Sequence, residues 1–322
     1  MSAFPTIKSM DEAPIVTEIA RCVVAGGNGQ VGGMFTALLV DSGVSVTSVD
    51  TDLPATGDEI PRVRYERGDI TALRGQVARE VAQVDLVLLA VPERVALAAV
   101  APLTATMRRG ALLADTLSVK SRIANLVRGE VRHVEVLSLN PMFHPSLGMA
   151  GRPVAVSTLV DGPRARALQK LLSSWGARVV PVGADEHDRL TAAMQAATHG
   201  AALAFGFALQ ELGPDVEDLC ALAPPPHLTL LAMLARIASG VPEVYWDIQT
   251  GNPQAPAALA ALRRGVDRLV GLANGEDEAS FAASLNEVQV LLGGNLAPLS
   301  DICARMFEEL PPAPGAEDDS EG

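Results

Sequence analysis

The sequence is poor in aromatic residues, in lysine and in cysteine. Phe, Trp and Tyr together make up 3% of its 322 residues, while alanine occurs 50 times. Any core must therefore be built from small aliphatic side chains in helix-friendly sequence. The only lysines are Lys8, Lys120 and Lys170, and the formal net charge is −13. Such an acidic chain lacks the clustered positive charge that nucleic acid requires, and it suits an anionic membrane surface no better. Cys22, Cys220 and Cys303 are too few and too far apart for a disulfide framework or a metal site. They read as reduced thiols packed as small hydrophobes in a cytoplasmic protein. No basic segment followed by an apolar run opens the chain, so no signal peptide is expected. The longest apolar stretch, 191–209, carries Gln195, Thr198 and His199 in its middle. It reads as a buried helix of a soluble protein and not as a membrane span.

What the sequence does have is enough apolar material, 48%, for a sizeable core, and enough length for two domains. Residues 1–20 form a polar lead. From 21 to 183, short apolar runs alternate with helical patterns: RCVVA (21–25), VSVTSVD (44–50), DLVLLAV (85–91), ALLAD (111–115), VEVLSL (134–139), PVAVST (153–158) and RVVPV (178–182). That alternation predicts an α/β domain with a doubly wound, Rossmann-type parallel sheet. From 184 to 310 strand signals vanish and the pattern is Ala/Leu-rich and helical, broken at Pro214, at Pro224–Pro226 and near Gly293. Residues 311–322 contain four acids and no apolar pattern, which predicts a disordered tail.

The first predicted strand runs into Gly26-Gly27-Asn28-Gly29-Gln30-Val31-Gly32, which contains G-x-G-x-x-G. The glycines follow a strand and open a helix, and a second strand ends on Asp50. In that setting they form a dinucleotide fingerprint. Gly27 permits the tight turn, Gly29 lets the backbone approach a pyrophosphate, and Gly32 lets helix and strand pack closely. The helix N-terminus supplies free N–H groups and the positive end of its dipole. Gly27, Asn28, Gly29, Gln30, Val31 and Gly32 are thus the expected cofactor contacts, with Asp50 accepting from the ribose hydroxyls. A carboxylate there repels a 2′-phosphate and no arginine follows it, so NAD is expected over NADP.

Seven ordered segments resemble one family, the prephenate/arogenate dehydrogenases: VVAGGNGQVGGMF (23–35), LAVP (89–92), DTLSVK (115–120), NPMFHPSLG (140–148), WGARVVPVGADEHD (175–188), QAATHGAALAFG (195–206) and RIASGVPEVYWDI (236–248). The resemblance covers roughly residues 20–308. It implies NAD(P)-dependent oxidation of a small cyclohexadiene with loss of carbon dioxide, and a helical domain that forms a homodimer. Carried over by position, Ser118 lies near the nicotinamide and the ring C4 substituent. His199 and Gln195 belong to the substrate pocket, Val91 and Pro92 join the cofactor contacts, and Arg236 binds a substrate carboxylate. Asp188 is an acid near that arginine. Arg236 also has a case of its own, because a guanidinium in the apolar stretch LLAMLARIA is either snorkelling or placed to grip an anion. Lys120 is expected at the surface or as a helix cap.

One departure matters most. The family's motif normally begins His-Pro, and its histidine serves as base for the 4-hydroxyl; here that position is Asn140, while His144 replaces a glycine four residues on. An amide cannot take a proton near neutral pH. General-base catalysis is worth about 10²–10⁴ in rate. Three accounts stand: the substrate carries a C4 amine, whose lone pair makes a base unnecessary; His144 replaces the base; or the protein binds NAD and a ligand as a non-catalytic regulator. The first matches a branch of the family that acts on 4-amino-4-deoxyprephenate, and it is the reading adopted, with prephenate or arogenate dehydrogenase as the alternative.

Overall fold

The computed structural model describes residues 18–311, except 129, 130, 132 and 276. Most of the expected lead and tail therefore lies outside the described residues. The chain divides between Arg189 and Leu190 into two compact units.

The first unit is built on eight strands: β1 (Arg21–Ala25), β2 (Ser45–Asp50), β3 (Arg64–Arg67), β4 (Leu86–Leu89), β5 (Leu112–Asp115), β6 (Glu135–Pro141), β7 (Pro153–Val160) and β8 (Arg178–Pro181). They form one sheet in the order β3-β2-β1-β4-β5-β6-β7-β8. All neighbours are parallel except β6 and β7. Successive side chains of a strand point to opposite faces, and both faces are apolar here. Cys22, Val24, Leu86, Leu88, Leu112 and Leu137 serve one core, and Val23, Ala25, Val87, Leu89, Leu113 and Val136 serve the other. Helices α1 (Gln30–Asp41), α2 (Gly75–Val81), α3 (Glu93–Thr106), α4 (Ser121–Val127), α5 (Pro163–Ser174) and α6 (Ala184–Thr191) complete the unit, the last running across the division. Phe35 and Leu39 of α1 and Leu168 and Leu172 of α5 cover the first face. Ala96 and Leu103 of α3 and Ile123 of α4 cover the second.

Strand β3, RYER, has no apolar pattern and is not predicted from the sequence. It joins the sheet at its edge through backbone pairing with β2, from Thr47 with Arg64 to Asp50 with Arg67, where side-chain burial is not needed.

The second unit is helical: α7 (Ala197–Leu212), α8 (Val216–Leu222), α9 (Pro225–Ala238), α10 (Pro242–Trp246), α11 (Ala255–Asn274), α12 (Glu278–Leu292) and α13 (Leu296–Glu308). Two wider π-helical turns, Ala192–Ala196 and Asp247–Gly251, precede α7 and follow α10. The stretch 191–209 is not the buried helix expected. Of α7 only Ala202 is buried, and Phe207 is 64% exposed. Leu222, Val290 and Leu291 are likewise exposed by 74% or more. An apolar surface of this extent marks an interaction face. Nor are all thiols packed: Cys22 is buried but Cys303, on α13, is exposed. Among the described residues no single helix is long and apolar enough to cross a membrane; α9 and Pro242–Gly251 reach that measure only together, across a bend of 107°.

Candidate active site

The order of the strands reverses between β1 and β4, which opens a crevice at their carboxyl ends. Gly26, with φ +78°, is the residue of the loop after β1 that needs left-handed freedom. The turn expected at Gly27 is therefore made one residue earlier. Gly27 must be glycine for another reason: a Cβ there would lie 2.1 Å from Ser48 Oγ. A Cβ on Gly32 would lie 2.1 Å from the Gly26 carbonyl oxygen, so α1 packs against the loop only without a side chain. Gly29 caps α1, and a Cβ there would come no nearer than 3.3 Å to other atoms. No acid occupies the first turn of α1, so its N–H groups are free for a phosphate. Val91 follows β4 and closes over Gly26, and Pro92 caps α3.

Asp50 accepts from the Asn28 backbone N–H at 3.3 Å, which ties the second strand to the glycine loop. A cavity of about 350 Å³ beside it is lined by Gly27, Asn28, Asp50, Leu53, Ile60 and Tyr65. These residues suit the adenosine half of a dinucleotide, and the loop suits its pyrophosphate. An arginine does reach this region, from the unpredicted strand: Arg67 donates to the Thr51 carbonyl and faces Asp52 at 3.5 Å. Two carboxylates, Asp50 and Asp52, outweigh that one guanidinium, which already faces one of them.

At the carboxyl ends of β5 and β6 the buried groups are polar. Of the two places expected for Lys120, it takes the helix-cap position, at the start of α4, and not the surface: its side chain is fully buried and does not itself cap the helix. Its Nζ donates to the Leu117 carbonyl at 2.6 Å and to the Leu139 carbonyl, and it faces Asp115 at 3.4 Å. Burial holds the ammonium below its usual range, against the opposing pull of Asp115 and Asp188. Asp115 also accepts from Ser138 Oγ at 2.8 Å. Asp188 has both oxygens engaged within this unit: it accepts from the backbone N–H groups of Lys120 and Ser121 at 2.8 Å and from His187 Nδ1 at 2.9 Å. It thereby caps α4. Burial pushes this carboxyl up, but its hydrogen bonds from His187, Ser121 and Lys120 prevail and hold it below the usual range. His187, 2% exposed, was not singled out from the sequence. Its Nε2 lies 3.1 Å from Asn140 Nδ2.

Asn140 is therefore buried in a polar chain that continues through His187 to Asp188. Ser118, half-buried in the segment after β5, makes no side-chain hydrogen bond among the described residues. His144 does not join Asn140: its Nδ1 is taken by the N–H and hydroxyl of Ser146, in a short 3₁₀ turn.

In the helical unit, His199 stands near the start of α7 and meets Tyr245 edge-on, with ring centroids 5.1 Å apart. Burial pushes its pKa down, and its Nδ1 is buried without a partner among the described residues. A cavity of about 450 Å³ is lined by Leu203, Pro242, Glu243, Tyr245, Trp246 and Gln249. Gln249 donates to the Ala196 carbonyl at 3.1 Å, bridging the two π-helical turns, and its Oε1 is buried without a partner. Gln195 lies in the first of those turns. Such turns gather at functional sites. Arg236, in the last turn of α9, is exposed and forms no ion pair among the described residues.

Two family models match the chain: "Prephenate dehydrogenase, nucleotide-binding domain" over residues 57–158 and "Prephenate dehydrogenase, dimerization domain" over residues 183–287. A 4-amino-4-deoxyprephenate dehydrogenase of Streptomyces pristinaespiralis is 53% identical over 290 residues, which cover 90% of this chain and 97% of that protein. The T-protein of Enterobacter agglomerans is 29% identical, over 86% of this chain and 68% of its own. A crystal structure of prephenate dehydrogenase from A. aeolicus, in complex with hydroxyphenyl propionate and NAD+, shares the fold with a TM-score of 0.68 at 18% identity, covering 85% of this chain and 98% of the other.

Proposed function

Since the chain belongs to the prephenate dehydrogenase family, we propose that it oxidises and decarboxylates 4-amino-4-deoxyprephenate to 4-aminophenylpyruvate. It is an NAD-dependent dehydrogenase that acts on a small molecule and forms a homodimer. Bound NAD supplies the hydride acceptor. The cradle made by Gly27, Gly29 and Gly32, with Asp50 at the ribose end and Val91 and Pro92 opposite, holds it.

Asn140 carries the reading of the substrate. Where the family places a proton-accepting histidine, this chain has a buried amide. For a C4 hydroxyl the loss of a base would cost about 10²–10⁴ in rate. A C4 amine needs no base in the hydride step, because its own lone pair assists and the resulting iminium cation takes up the electron pair released with carbon dioxide, ending as the neutral amine with no proton to remove. Loss of carbon dioxide from C1 then leaves an aromatic ring. Ser118 and Asn140 contact the C4 substituent; Arg236 grips a carboxylate with its two-pronged donor face; His199 and Gln195 line the pocket. Attraction at long range is absent from a chain of net charge −13, so the local guanidinium bears that task. His144, held by Ser146, gives the hydroxyl-substrate alternative little support. The reading includes a cytoplasmic location and neither nucleic acid nor membrane as partner.

Parallel turnover assays with 4-amino-4-deoxyprephenate and prephenate test it. Higher kcat/KM for the amine is expected, and faster turnover of prephenate would overturn the reading. Asn140→His is expected to gain prephenate activity and lose activity on the amine.

A further inference from the structure

The two ends of a side-chain amide differ: the NH₂ donates and the oxygen accepts. Whichever end Asn140 turns inward decides what it offers to a substrate. The inward partner is His187 Nε2, 3.1 Å from Asn140 Nδ2. On the other side of the ring, Nδ1 faces Asp188 at 2.9 Å. Asp188 already accepts two backbone N–H groups, from Lys120 and Ser121. A carboxylate so held is ionised and only accepts, which keeps a hydrogen on His187 Nδ1. The ring is 2% exposed and therefore neutral, so Nε2 is left bare. The other charged groups near the ring are Lys120 at the start of α4 and Asp115 at the end of β5, which face each other. A bare ring nitrogen admits only the NH₂ end of the amide. The Asn140 oxygen accepts no hydrogen bond among the described residues.

We propose that His187 is a specificity-determining positioning residue: held by Asp188, it accepts from the Asn140 amide and so presents the Asn140 oxygen as an acceptor for the amino group on C4 of the substrate. This rests on the 4-amino reading above. With the amide reversed, its N–H groups would oppose the N–H groups of an amine and would suit the lone pairs of a hydroxyl. The orientation of Asn140 is thus set by a residue 47 positions along the chain from it.

Two measurements test the inference. In the intact wild-type protein, ¹⁵N spectra of histidine-labelled material are expected to show His187 Nδ1 as the protonated nitrogen and Nε2 as the bare one. Protonation at Nε2 overturns the assignment, whatever the substrate proves to be. Kinetically, His187→Leu is expected to lower the amine-to-hydroxyl ratio of kcat/KM about tenfold, the loss of one hydrogen bond. NAD affinity should stay unchanged, and His187→Gln, which keeps an acceptor, should recover most of the ratio. In an Asn140→Ala background the same His187→Leu change should leave the ratio untouched. An unchanged ratio with Asn140 present, or an equal drop with Asn140 absent, overturns the positioning role. A wild-type preference for prephenate would instead count against the functional reading, while the nitrogen spectra still decide how the amide is turned.

Discussion

The candidate site residues of the two units are held in different ways. In the sheet unit, Lys120, Asp115, Asp188, His187 and Asn140 are buried and bonded to one another or to backbone. In the helical unit, His199 Nδ1 and Gln249 Oε1 lack partners among the described residues, Arg236 is exposed, and large apolar side chains face outward. The contrast lies in these clusters and not in the units as wholes, since Asp115 Oδ2, Thr36 Oγ1 and Ser48 Oγ of the sheet unit are also buried without partners among the described residues. Under the proposed function, the polar atoms of the second unit meet a ligand and its apolar face meets a second copy. Preorganisation costs a fold its freedom but fixes geometry, whereas an unsatisfied buried atom carries a penalty that a ligand relieves.

The contrast breaks most severely at Lys120. Lys120→Met leaves Asp115 buried without its cation and is expected to lower stability by about 3–5 kcal/mol, read by denaturant unfolding. The corresponding change in the helical unit, Arg236→Gln, should leave unfolding nearly unchanged. It should instead reduce kcat/KM by about 10–150-fold, mainly through KM, as a charge-assisted bond worth about 1.5–3 kcal/mol is lost; steady-state kinetics with the amine measures this. Unchanged kinetics would remove Arg236 from the site.

Acidification sharpens the comparison at a smaller scale. Burial holds both His187 and His199 below the ordinary histidine pKa. Each is thus neutral in the folded chain at a pH where the unfolded chain binds a proton. Their contribution to stability is complete above the unfolded value of about 6.5 and falls as the pH drops below it, by at most about 1.4 kcal/mol per pH unit for each. Melting curves from pH 7 to 5 should show the loss, and His187→Gln should flatten it. The smallest effect is expected at Leu291, 82% exposed. Leu291→Ser should alter unfolding of a single chain by no more than about 0.5 kcal/mol, yet shift the dimer toward monomer in sedimentation measurements.

Much of this was legible in the residues themselves. Apolar runs such as 85–91 and 111–115 read as strands because both faces of their strands, β4 and β5, are buried. The glycine loop read as a cofactor cradle because its chemistry is local. Strand β3 was not legible, since an edge strand needs only backbone pairing. Asn140 could be seen as a missing base, and the resemblance carried it to the amine branch.

Fold class and cofactor follow from the sequence alone, because periodicity, turn chemistry and short motifs act between near neighbours, and the special status of Asn140 follows from the sequence set against the family it resembles. Only the tertiary structure decided that Lys120 is buried, that Asp188 caps α4, and that His187 rather than His144 faces Asn140. Those contacts join residues 19 to 68 positions apart. Such partners are chosen by the crossing of strands and helices, which brings together side chains that no local pattern relates.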